Sequence, residues 1–72
     1  MTAKSLKVNQ TGIIKELTFD NKTQRQRMMD LGFLPNVEIK CYAKTYGSTA
    51  FVVKESMFGI RNQDAEMIIL YK

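Results

Sequence analysis

Thr23-Gln-Arg-Gln-Arg-Met-Met-Asp-Leu-Gly-Phe-Leu-Pro-Asn-Val37 reads as one short helix with both ends marked, then a turn that launches a strand. Thr23 with Gln26 fits a capping box, and Asn21 with Gln24 fits the same motif slightly upstream. Gly32 suits the left-handed residue past a helix end, because it has no Cβ to clash. Phe33 then falls where it can touch Met28, the apolar contact that accompanies such an ending. Pro35 fixes φ and Asn36 tolerates positive φ, which predicts a type II turn. Met28 and Leu31 form a narrow inward stripe, with Met29 off to the side. A helix this short docks against a sheet rather than standing alone.

Outward from that segment the chain is rich in short strands. Thr11 to Leu17 is β-rich, and Ile14 and Leu17 share an inner face only if the strand bends or carries a bulge. Val37 to Ala43 alternates strictly, predicting Val37, Ile39, Cys41 and Ala43 on one face and Glu38, Lys40 and Tyr42 on the other. Lys44 to Thr49 reads as a hairpin loop, and Ala50 to Lys54 as a strand with Phe51 and Val53 inside. Glu55-Ser56 reads as a tight turn, Met57 to Arg61 as a fourth strand, and Asn62 to Ala65 as one helical turn. Met67 to Tyr71 closes the pattern with Ile68 and Leu70 inward. About five strands with one helix between the first two predict a mainly β fold, a small antiparallel barrel left partly open. Residues 1–72 form one domain in this reading.

Composition narrows the chemistry. The net charge is +4, and residues 1–27 carry six basic side chains against two acidic ones. Such a bias can steer an acidic partner, a nucleic acid or an anionic surface. The longest apolar run is five residues, Met67 to Tyr71, too short to span a bilayer, and the start of the chain has no signal-peptide core. Cys41 is the sole cysteine, which fits a reducing, cytoplasmic setting. On the apolar face of its strand it reads as a buried thiol rather than a nucleophile or ligand. There is no histidine, the commonest general base and transition-metal ligand. The carboxylates show no paired spacing, and the four glycines build no phosphate-cradling loop. These features predict no enzyme, no cofactor and no resident metal. Surface recognition remains. Arg25, Met29 and Asp30 are placed on the outward side of the helix with Arg27 at its edge, and Tyr42, Tyr46 and Phe58 are the aromatics expected to be exposed. Arginine beside methionine or an aromatic ring is typical of protein interfaces, which makes Arg25, Arg27, Met29, Asp30 and Tyr46 the candidate partner-binding residues.

Gln26-Arg-Met-Met-Asp-Leu-Gly-Phe-Leu-Pro-Asn-Val37 resembles the signature of the FeoA family, small cytosolic accessory proteins of bacterial ferrous-iron uptake. The likeness extends over nearly the whole chain, through Leu6, Gly12 with Ile14 and Leu17, the Phe51/Val53 strand, Gly59-Ile60-Arg61, and Ala65 with Ile68 and Leu70. Asn9 and Asn36 stand where the family usually has glycine, and asparagine is the next-best residue at positive φ. Glu55 also occupies a place that is often glycine, so the last hairpin departs from the family pattern. The resemblance implies an SH3-like barrel. It further implies a partner, the cytosolic GTP-binding domain of the FeoB transporter, and so a location in the cytoplasm at the inner face of the membrane. Self-association is left open. The same domain type occurs attached to helix-turn-helix modules in metal-dependent repressors. A free-standing accessory role is preferred, because the chain has no room for such a module. A basic SH3-like barrel that binds nucleic acid is the alternative. It is disfavoured because basic residues and aromatics do not interleave along one strand face.

Overall fold

The structure is a computed structural model, described over residues 1–71. Its elements are β1 (Thr11–Leu17), α1 (Lys22–Asp30), β2 (Glu38–Lys44), β3 (Ser48–Val53), β4 (Ser56–Arg61), α2 (Asn62–Ala65) and β5 (Ile68–Leu70), after a 3₁₀ turn at Ala3–Ser5. All pairings are antiparallel, in the order β4-β3-β2-β1-β5. The body measures 29 × 24 × 22 Å. A flat sheet with its side chains is only about 10 Å thick, so this one is rolled around its own core. The mainly β, five-stranded, open antiparallel architecture with its one principal helix is the one read from the sequence.

The core is built from every element. Leu6, Ile14, Phe33, Ile39, Cys41, Phe51 and Ile68 are fully enclosed, with Met28 reaching in from α1 and Ala65 from α2. Phe33 meets Phe51 edge-on, with ring centroids 6.4 Å apart, a favoured aromatic geometry. The expected irregularity in β1 is present: its pairing with β5 shifts register between Ile14 and Glu16, which lets Ile14 and Leu17 both face inward.

The helix termini are set by local chemistry. Asn21 is the N-cap, and its Oδ1 accepts from the Gln24 amide at 3.1 Å. The Thr23 alternative is therefore excluded. The reciprocal half of the box is absent too, because the Gln24 side chain is used elsewhere. At the other end Gly32 has φ +110°. Its amide donates to the Met29 carbonyl at 3.0 Å, and the Phe33 amide donates to Met28 at 3.1 Å. That pair of bonds is a Schellman ending. The Val37 amide donates to the Leu34 carbonyl at 3.1 Å across Pro35 and Asn36, with Asn36 at φ 72°. This is the type II turn. Asn9, at φ 73°, makes the equivalent turn before β1.

Four expectations are corrected. Leu31 is 39% exposed rather than inward. With 100° per residue, a core direction lying between Met28 and Met29 leaves Leu31 pointing out, and Phe33 fills the place behind it. Ala43 does not share the face of Ile39 and Cys41. The β2–β3 register shifts between Cys41 and Ala43, so Tyr42 is bulged and Ala43 pairs with Ala50 on the outer face. Phe58 is half-buried against Phe33, with centroids 6.2 Å apart, not exposed. The last hairpin turns at Lys54-Glu55 rather than Glu55-Ser56, with both turn residues at positive φ, 49° and 68°. Two positive φ values in a two-residue loop define a type I′ turn, which matches strand twist. Hairpin geometry is thus kept without the glycine.

Candidate functional site

The 3.6-residue period sorts the candidate residues of α1 onto two sides. Arg25 and Met29, four apart, lie on one flank with Lys22 and Gln26. Gln24 and Arg27 lie on the other.

On the first flank the helix stands away from the sheet and leaves an open groove. Its walls are Lys22, Arg25, Gln26 and Met29 from α1, Glu16 and Leu17 from the end of β1, and Pro35 from the following turn. Met29, expected on the outward side of the helix, is instead half-buried against the core and floors the groove, while Arg25 stands exposed at its rim. The Pro35 wall is fixed to β1: the Asn36 amide donates to Ile14 at 2.7 Å, and the Ile14 amide donates to Val37 at 3.0 Å. The groove joins an apolar floor to a cationic rim, with Glu16 opposite. That combination suits a partner offering one apolar side chain next to an acidic one.

The second flank is held by a carboxylate. Asp64 Oδ1 accepts from Gln24 Nε2 at 3.0 Å, and Asp64 Oδ2 faces Arg61 Nε at 3.4 Å. This ties α1 to α2 and to the end of β4. Arg27 borders a shallow depression here with Asn21, Thr23, Gln24 and Arg61. Arg27 is thus separated from Arg25 by the width of the helix. Asp30 is engaged within α1, accepting from Gln26 Nε2 at 2.9 Å.

Tyr46 lies apart from both, at the tip of the β2–β3 loop. Its ring is completely exposed, yet its carbonyl accepts from Asn62 Nδ2 at 3.3 Å. The same Asn62 accepts from the buried Thr49 hydroxyl at 3.1 Å. The loop is anchored while the ring touches nothing around it. Of the five candidates, then, only Arg25 and Met29 converge on one feature. The groove residues that sequence reasoning missed are Glu16, Leu17, Lys22, Gln26 and Pro35. Lys22 and Gln26 were signalled by their helical spacing from Arg25 and Met29, whereas Glu16, Leu17 and Pro35 arrive only through folding.

Among the described residues no group of three His, Cys, Asp or Glu side chains is close enough to hold a metal ion. Cys41 is buried and unpaired in any disulfide. Among the described residues no helix is long and apolar enough to cross a membrane.

A family model described as the FeoA domain matches residues 1–72. The chain belongs to the FeoA family. No protein of curated function matches it, whereas solved FeoA structures do. The solution structure of FeoA from Chlorobium tepidum superposes with a TM-score of 0.91 at 19% identity, covering 99% of this chain and 69% of that one. The crystal structure of Stenotrophomonas maltophilia FeoA, complexed with zinc, superposes with a TM-score of 0.89 at 20% identity, over 99% of this chain and 89% of that one. That protein is described as a prokaryotic SH3-domain protein proposed as a bacterial ferrous iron transport activating factor. A manganese-dependent transcriptional repressor carries the same fold over 39% of its length, with a TM-score of 0.84 at 10% identity and 94% of this chain covered. At these identities the structural likeness speaks for the fold, and the family match supplies the membership.

Proposed function

We propose that this FeoA chain is a non-enzymatic accessory factor of bacterial ferrous iron uptake, acting in the cytoplasm by docking on the cytosolic GTP-binding domain of a FeoB-type transporter. The observation that carries the reading is the groove where Arg25 and Met29 stand together, on walls stapled to β1. Preorganised walls lower the ordering cost of binding, and an arginine over an apolar floor is a characteristic interface anchor. Family membership supplies the pathway, and the groove supplies a place for contact.

Titration of the purified chain against that cytosolic domain, with and without guanine nucleotide, tests the proposal. Saturable binding that is weakened by a substitution at Arg25 supports it. Absence of binding at high micromolar concentration, both to the soluble domain and to the full transporter in membranes, overturns it. The nucleic-acid alternative draws less support, since Phe58 is turned toward the core while Tyr42 and Tyr46 occupy different parts of the surface.

A further inference from the structure

The two edges of the sheet are treated differently. Outside β5 the chain covers itself: Thr2 bridges Ile69, and the Leu70 amide donates to the Met1 carbonyl at 2.8 Å. Outside β4 nothing comparable lies among the described residues. The phase of the β3–β4 ladder follows from its turn. In a two-residue hairpin the flanking pair, here Val53 and Ser56, is hydrogen-bonded, and pairs alternate from there. The bond from the Asn62 amide to Gly47, 3.0 Å, confirms that phase at the far end. Met57 and Gly59 therefore direct their amides and carbonyls away from β3, as Arg61 does its amide, while the Arg61 carbonyl serves as the N-cap acceptor of α2.

The usual protections of an edge strand are missing from this one. It contains no proline, its pairing with β3 has no bulge, and its only charge is the terminal Arg61. Gly59 lies at the middle of the outward set, and a Cβ placed there would meet nothing within 4 Å. A glycine inside a strand weakens it and marks places where another backbone approaches. Beside this gap stand Met57, 55% exposed, and the Arg61 side chain, 69% exposed. Lys40 lies in the same cross-strand row as Val52 and Met57, and Lys54 sits at the hairpin turn. Of the carboxylates near these strands, Glu38 lies two strands in from the edge, next to Ile39 whose partner is Val53, Glu55 is in the turn, and Asp64 is engaged by Gln24 and Arg61.

From the open edge and its cationic borders we infer that β4 accepts an extended, acidic segment of another protein as a sixth strand, hydrogen-bonded to Met57, Gly59 and the Arg61 amide. The main-chain bonds supply affinity, and alternate side chains of the added strand fall over Gly59 and beside Phe58. Acidic residues of that strand meet Arg61 and Lys54. A second copy of this chain is a poorer occupant, since it carries the same net charge of +4. This site is distinct from the α1 groove and stands or falls separately from it.

The test is an NMR titration of the whole chain with a blocked synthetic peptide of alternating glutamate and valine. The control is the same peptide N-methylated at alternate amides. The expected result is saturable shifts centred on the Met57, Gly59 and Arg61 amides, with slowed exchange there, and no response to the control. Gly59→Pro removes only an outward donor, so it should melt like the parent and bind at least about tenfold more weakly, the equivalent of one lost hydrogen bond. Should that variant unfold, Arg61→Glu replaces it, and weaker peptide binding is expected there too. Shifts confined to Arg25 and Met29, no shifts at millimolar peptide, or unchanged binding by a folded variant would each overturn the assignment. Concentration-dependent shifts at these amides without peptide would also overturn it, placing a second copy on the edge.

Discussion

Gly32 ends α1 at φ +110°, a conformation that side chains with a Cβ rarely adopt. A Cβ there would lie 3.6 Å from Val53 Cγ2, which is ordinary contact, so the cost of substitution is backbone strain rather than a clash. Gly32→Val is expected to destabilise the fold by roughly 1–3 kcal/mol, read as a lower urea midpoint with an unchanged slope. A parent-like midpoint would mean the left-handed ending can be replaced. The opposite experiment is available at Lys54 and Glu55, which hold positive φ without being asparagine or glycine. The double change Lys54→Asn with Glu55→Gly gives the turn its preferred residues and should stabilise by about 0.5–2 kcal/mol. Asn9 and Asn36 already make that accommodation, which explains how the turns before β1 and β2 form without glycine.

At the scale of the element, the cap of α1 separates two readings that sequence leaves equal. Asn21→Ala should cost about 1 kcal/mol, because the Gln24 amide loses its acceptor. Thr23→Ala, at an exposed position within the first turn, should stay within about 0.5 kcal/mol. Thermal or chemical unfolding of the pair decides it, and equal losses would contradict the observed cap. The helix ending, the type II turn and the β1 bulge were legible in sequence because each is written in adjacent residues or in a spacing that alternation cannot satisfy. The bulge at Tyr42 was hidden by the opposite circumstance. The run from Val37 to Ala43 alternates perfectly, and only pairing with Ala50 shows where the parity breaks. Leu31 and Phe58 were misplaced for a related reason, since both depend on how α1 and Phe33 settle onto the sheet.

Over the whole molecule, five candidate residues chosen for their chemistry resolve into separate surfaces: Arg25 with Met29 in the groove, Arg27 beyond the helix, Asp30 held by Gln26, and Tyr46 alone at a loop tip. Residue type was readable one position at a time, but convergence is made by Glu16, Leu17 and Pro35, which come from separate parts of the chain. A decisive comparison follows from this separation. Arg25→Glu replaces an exposed charge that takes no part in a salt bridge or side-chain hydrogen bond among the described residues. Its melting temperature should therefore stay within about 4 °C of the parent. It inverts the rim of the groove, so affinity for the transporter domain should fall at least about fivefold, with a slower association rate and a flatter salt dependence. Tyr46→Ala tests the loop tip in the same assay. If Arg25→Glu weakens binding and Tyr46→Ala does not, the footprint is the helix groove; if both do, it reaches from α1 to the β2–β3 loop. Normal binding by Arg25→Glu would remove the groove from the contact surface and leave the proposed docking role without the site that carries it.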